Sequence, residues 1–358
     1  MLSFYFVYGE HFTIAVIPDS QNYVNYACNK VMSPSYAINQ ADFFYNQMNY
    51  IADNSIKNGG NIAFAVHVGD FVSHWGKSSF EWECADKGMR ILDDVVPFIA
   101  VPGNHDYDIA YSAEGGKNNR IDGNVMFCKF FGSESIHFKD KDWYKGSFND
   151  GMNSFCITKL GGKDFLFLGM ELEPPDSALE WAQNVLDTHK NYPTIFVTHE
   201  YLSIDYEKEN PGTAALLNHS YRKDFNSNTP IQIWEKVISK NQQIFLVLCG
   251  HHFRNEEGEN TRTDINNAGY KTYTLLQNFQ GRHSLFDERC YTGKKLNCGD
   301  GWIRLLHFDL DRSQIHVQTY STELKRYEKD YNSDFIIHFD WDWDERFGKS
   351  IKNEDISK

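Results

Sequence analysis

The sequence predicts an α/β fold of two sheets flanked by helices, on three observations. Short apolar runs rich in β-branched and aromatic residues recur along the chain, several with almost no polar residue, as strands buried on both faces require. Segments with helical spacing alternate with the early runs, which argues for parallel βαβ units. Beyond about residue 260 the helical spacing stops and apolar runs follow one another, which reads as an antiparallel closing half.

In chain order, strands are expected at Phe12–Ile17, Ile62–Val68, Val95–Val101, Phe155–Leu160, Phe165–Leu168, Thr194–Val197 and Ile244–Leu248. Thr272–Leu276, Trp302–Phe308, Ile315–Thr319 and Phe335–Phe339 complete the set. Helices are expected where apolar residues fall on one face: Asn39–Asn58, Glu81–Leu92 and Ser177–His189. No repeat, low-complexity tract or linker forces a boundary, so residues 1–358 read as a single domain. Polar, Asn- and Gly-rich stretches near 111–124, 203–230 and 282–299 read as loop insertions rimming a cleft.

The formal net charge of −14 argues against a general nucleic-acid binder, which needs a basic face to displace counterions. No apolar stretch approaches the ~20 residues of a membrane span. Met1–Tyr8 is apolar but lacks the basic start and cleavage site of a signal peptide, which leaves cytoplasmic and secreted placement both open. None of the seven cysteines forms a CxxC pair, so no zinc–cysteine site is expected. Cys290 and Cys298 flank a polar stretch that a disulfide could close.

The chemistry lies at the strand ends. Val101-Pro102-Gly103-Asn104-His105-Asp106 breaks a strand and delivers an amide, an imidazole and a carboxylate just past its end. The same event recurs at Pro18-Asp19-Ser20-Gln21, Gly69-Asp70, Thr198-His199-Glu200 and Cys249-Gly250-His251-His252. One such site is an ordinary turn. Five, in this order, point to a metal centre, because ligands bind outside the carboxyl ends of strands in open α/β sheets. A mixed oxygen and nitrogen donor set suits Mn, Fe or Zn better than Ca or Mg alone.

With those motifs in hand, the chain resembles the calcineurin-like metallophosphoesterases, and most closely their bacterial branch with a Pro-Asp-Thr-Gln first motif, here Pro18-Asp19-Ser20-Gln21. The likeness extends to Tyr144–Ser154 and to Gly301-Trp302-Ile303-Arg304-Leu305-Leu306. It implies a two-sheet α/β sandwich and hydrolysis of phosphoric monoesters or diesters, on a small molecule or a protein, by a metal-activated hydroxide at one or two divalent ions. It further implies that Asp70 bridges one metal held with Asn104, His199 and His251 and another held with Asp19 and Gln21. His105, backed by Asp106, would protonate the leaving-group oxygen or steady the phosphate.

Two positions depart from the family pattern. Gln21 stands where the commoner first motif has His, as it does in the Pro-Asp-Thr-Gln branch. Phe253 stands where the last motif, Gly-His-x-His, has its second imidazole. His252 is a substitute ligand, but neighbours on an extended segment point opposite ways. Phe253 therefore motivates a second reading, an impaired or pseudo-phosphatase that acts as a binding module. Among the other polar residues, His67 reads as a core histidine and His74 as no part of the centre. Glu200 reads as pointing away or hydrogen-bonded, and Asn278 and Gln280 as facing the cleft.

Overall fold

The computed structural model describes residues 11–34, 39–74, 78–108, 123–204, 215–217, 226–282 and 299–348. Its first sheet contains β1 (His11–Ile17), β2 (Ile62–His67) and β3 (Phe98–Ala100). The second contains β4 (Tyr144–Phe148), β5 (Asn153–Leu160), β6 (Lys163–Gly169), β7 (Thr194–Val197), β8 (Ile244–Cys249), β9 (Glu259–Ile265) and β10 (Lys271–Gln277). The chain then returns to the first sheet with β11 (Trp302–Asp309), β12 (Gln314–Ser321), β13 (Arg326–Tyr327) and β14 (Asp334–His338). Strand order is β13-β12-β11-β1-β2-β3, with β14 also on β12, and β4-β5-β6-β7-β8-β10-β9, so each sheet has seven strands.

The helices are α1 (Gln21–Val24), α2 (Tyr26–Met32), α3 (Ala41–Asp53), α4 (Ser79–Met89), α5 (Val125–Phe131), α6 (Asp176–Thr188), α7 (Pro230–Lys236) and α8 (Trp343–Phe347). Alternation along the strands dictates their placement. Phe12, Ile14 and Val16 of β1 face one core, while Ala15 and Ile17 face another. In β6, Phe165 and Phe167 turn inward, and Leu166 and Leu168 turn to the opposite side. The inward sets meet between the sheets, where the rings of Phe64 and Phe167 stack 3.6 Å apart. The outward set of the first sheet packs on α3, α4 and α5, and that of the second on α6 and α7. The result is four layers, helix–sheet–sheet–helix, the two-sheet sandwich expected.

All eleven expected strands form. β1, β2 and β3 are parallel, as are β6, β7 and β8, in agreement with the βαβ reading. Two corrections concern the closing half. β10 is parallel to β8, and its antiparallel partner is β9. A short helix, α8, also follows the last strand; Asp342 caps it by accepting from Asp344 N and Glu345 N. Strands β4, β9 and β13 were not expected. β9 reads ENTRTDI and lies at a sheet edge with much of it accessible, so it carries no apolar signal. The expected insertions at 111–124, 203–230 and 282–299 and the pair Cys290–Cys298 lie largely or wholly outside the described residues. Among the described residues no helix is long and apolar enough to cross a membrane.

Candidate metal centre

Because β1, β2 and β3 run parallel, their carboxyl ends deliver Asp19, Asp70 and Asn104 to one rim of the first sheet. The parallel pair β7 and β8 delivers His199 and His251 from the second. Sharp exits make this possible. Gly69 has φ +101° and Asp70 φ 57°, so the chain leaves β2 through two consecutive left-handed residues. Gly250 is required for a different reason: a Cβ there would collide with the Asp19 carboxylate.

His199 fixes the centre. Its ring is fully buried, and Nδ1 lies 2.8 Å from the carbonyl of Val68, to which it donates. Nε2 then faces Asn104 Oδ1 at 3.1 Å, His251 Nδ1 at 3.2 Å and Asp70 Oδ1 at 3.4 Å. Donors about 2.1 Å from a tetrahedral divalent cation stand roughly 3.4 Å from one another. The spacing around Nε2 is therefore that of a ligand shell, and the donor set fits such an ion. Electrostatics agree. Burial alone would lower the pKa of His199, but Asp70 outweighs it and drives the imidazole up to about 10, so the pocket recruits positive charge. Burial opposes ionisation of Asp70 too, and His199 with His105 overcomes it, holding the carboxyl well below the usual range. Burial pushes His251 down to about 4 against the pull of Glu200, which leaves a neutral ring able to coordinate.

Beside this group sits Asp19. Its carboxylate accepts from Asn278 Nδ2 at 2.9 Å, Gln280 Nε2 at 3.1 Å and His251 N at 3.2 Å. Burial raises its pKa, with Asp70 adding to the rise and His199 opposing it. Gln21 donates through Nε2 to Gln280 at 3.0 Å, while its buried Oε1 has no hydrogen-bond donor among the described residues. A buried carbonyl oxygen without a donor is costly in a protein interior, and a cation is a group that would satisfy it. Asn278 and Gln280 thus face the centre as expected, in the role of holding Asp19.

Two expectations need correction. Asp106 does not orient His105. It is buried within its own loop, accepting from Phe71 N, Val72 N and Gly103 N, and His105 Nδ1 instead donates to Ser73 O at 2.8 Å. Burial and the nearby Asp70 raise the pKa of Asp106 well above the ordinary value, so it acts as a loop brace. His251 and His252 do not point opposite ways. His251 has φ +68° and His252 N bonds back to Gly250 O at 2.8 Å, a three-residue turn with positive φ that side chains rarely adopt. The turn brings both rings to one carboxylate, with Nε2 of His251 3.8 Å and Nε2 of His252 3.7 Å from Glu200 Oε1. Glu200 accordingly turns inward and is buried. Asp70, His199 and His251 form one group able to hold an ion, and Glu200, His251 and His252 another. His67, as expected, is a core residue, stacked 3.6 Å from Phe71 and bonded to Ser20 Oγ.

Carboxylate, amide and imidazole groups gathered at the strand ends of a two-sheet sandwich form a candidate metal centre. The chain belongs to the calcineurin-like phosphoesterase family, whose model matches residues 12–254. It is 27% identical over 305 residues to the uncharacterized protein YvnB of Bacillus subtilis (strain 168), a match covering 83% of this chain and 20% of that protein. The chain thus spans about a fifth of that relative's length. Among solved structures it is similar to a 5'-nucleotidase from Candida albicans SC5314, at 12% identity and a TM-score of 0.43, over 91% of this chain and 56% of that one.

Proposed function

We propose that this chain hydrolyses phosphoric esters, monoester or diester, with one or two divalent ions held at the rim shared by the two sheets. The observation that carries the reading is the set of three donor atoms 3.1–3.4 Å from His199 Nε2. Asp70, Asn104, His199 and His251 would hold one ion; Asp19, Gln21 and Asp70 would hold the other, with Mn, Fe or Zn suited to these donors. When bound, such ions neutralise charge on phosphoryl oxygens and lower the pKa of water to supply a nucleophile.

The rest falls to the protein. Ser73 O fixes the Nδ1 end of His105, so a proton held at Nε2 is presented to the departing ester oxygen. Asn278 and Gln280 hold the Asp19 carboxylate in place, and Glu200 faces the outer nitrogens of His251 and His252. The single domain over residues 1–358 and a phosphorylated small molecule or protein as substrate belong to the same proposal. Against the alternative, a binding module disabled at Phe253, stands the turn that brings His252 to Glu200 beside His251. Metal content of the purified protein, with turnover of an aryl phosphate and an aryl phosphodiester, tests the reading. Bound metal and turnover lost in Asp70→Asn are expected; no turnover with either ester at saturating Mn, Fe or Zn would sink it.

A further inference from the structure

Behind His105, a second set of metal-binding side chains comes together from three separate segments. Cys28 lies in α2, His74 in the loop after β2, and Glu81 in the first turn of α4. One ligand atom from each lies within 4.8 Å of the others. Glu81 is fully buried, and a buried carboxylate must be compensated. Its Oε2 accepts from Ser73 N at 2.7 Å and His74 N at 2.9 Å, and its Oε1 lies 2.5 Å from His74 Nδ1. Cys28 Sγ sits 2.7 Å from Ser78 Oγ, at the N-cap of α4.

We propose that Cys28, His74 and Glu81 form a third cation site, of the zinc type, separate from the phosphoesterase centre. Thiolate, imidazole and carboxylate are the three ligand classes zinc takes, and three protein ligands plus water or the Ser78 hydroxyl complete a tetrahedron. Binding displaces the Cys28 thiol proton and the proton between His74 Nδ1 and Glu81 Oε1, which then move apart from 2.5 Å to the roughly 3.4 Å of a ligand shell, and leaves Glu81 Oε2 to keep Ser73 and His74 in place. The site is continuous with the chemistry, because Ser73 O holds His105 Nδ1 at 2.8 Å. No CxxC pair announces it: the cysteine is single, and the other ligands lie 46 and 53 residues further on (74 minus 28 and 81 minus 28).

The thiolate makes the test specific, since no sulfur lies among the donors at the phosphoesterase centre. Cobalt(II) titrated into the full chain should give a thiolate-to-cobalt charge-transfer band in the near ultraviolet, absent with oxygen and nitrogen ligands alone. The band should disappear in Cys28→Ser and persist in Asp70→Asn. In Glu81→Gln, which keeps the thiol and the packing, apparent cobalt affinity at the band should fall about tenfold or more. No band in the wild-type chain at saturating cobalt would overturn the proposal, as would a band unchanged in Glu81→Gln. A band that survives Cys28→Ser would assign the sulfur elsewhere, and one lost in Asp70→Asn would tie it to the phosphoesterase centre; either also overturns it. Because the band is read without substrate, failure of the hydrolase reading leaves this test intact.

Discussion

The buried carboxylates at Glu259 and at the strand ends are balanced in opposite senses. Around Glu259 donors are in excess. Oε1 accepts from Arg304 Nη2 and Thr319 Oγ1, and Oε2 from Ser333 Oγ and Arg282 Nη2. Nε and Nη1 of Arg304 are left over among the described residues. Burial alone would raise the pKa of Glu259, but Arg304 and then Arg282 outweigh it and lower it. At the strand ends Asp19, Asp70, the Asn104 carbonyl and Gln21 Oε1 converge with amide, backbone and imidazole partners but no Arg or Lys among the described residues. A cluster closed by its own cations is a structural tie. One short of positive charge is a place for a ligand ion, and burial by itself does not separate the two.

The sharpest break of this comparison removes one carboxylate from each side. Asp70→Asn should lower turnover of aryl phosphate esters at least about 1,000-fold, equivalent to about 4 kcal/mol, while denaturant unfolding of the metal-free protein shows a smaller loss of stability than Arg304→Met causes. Loss of stability with activity retained would reverse the assignment. Arg304→Met should behave oppositely. It strands Glu259 in the interior and should cost about 3–5 kcal/mol in denaturant unfolding, with turnover per folded molecule changed by less than about twofold.

A second closed cluster adds a pH test. The buried His137 ring bonds Asp93 at 2.7 Å and Asp86 at 3.2 Å. Burial alone would lower its pKa, but the two carboxylates raise it above the ordinary value. Since the folded pKa is the higher, the stabilisation is fully present below the ordinary histidine pKa of about 6.5 and is lost as pH rises through the folded value. His137→Asn should therefore destabilise the fold by about 2 kcal/mol near pH 5.5 and by less at high pH. A difference that grows with pH would contradict it. The smallest effect is expected at Phe253→His. The Phe253 ring lies against Gly281, where an added Cβ would meet Cδ2 at 2.9 Å. The substitution should alter metal affinity and turnover less than about threefold, whereas a large gain would favour the impaired-enzyme reading.

How much of this was legible follows from where each signal is stored. The five polar strand ends are local events, an apolar run ending in polar residues and in four cases broken by Gly or Pro, so Asp19, Asp70, Asn104, His199 and His251 could be read in order. β9 could not, because an edge strand of polar residues has no periodic apolar face. The partner of His105 was misread for another reason. Asp106 is adjacent in sequence, but its carboxylate is consumed by three backbone donors, and the carbonyl of Ser73 takes the role. His252 turns on a single left-handed residue, His251, whose conformation no side-chain pattern announces. The Cys28, His74 and Glu81 group has no spacing rule at all and exists only once α2 and α4 pack.

The rim has one more consequence, since its donors come from both halves of the sandwich: Asp19, Asp70 and Asn104 from the first sheet, His199 and His251 from the second. An ion held there is a rivet through two plates. It binds well only after both have formed and aligned, so occupancy certifies correct assembly. At a free ion concentration 100 times Kd the rivet would add about 2.7 kcal/mol to cohesion. A cell that starves this protein of metal would then lose that added cohesion, and would be left with chains easier to unfold and degrade.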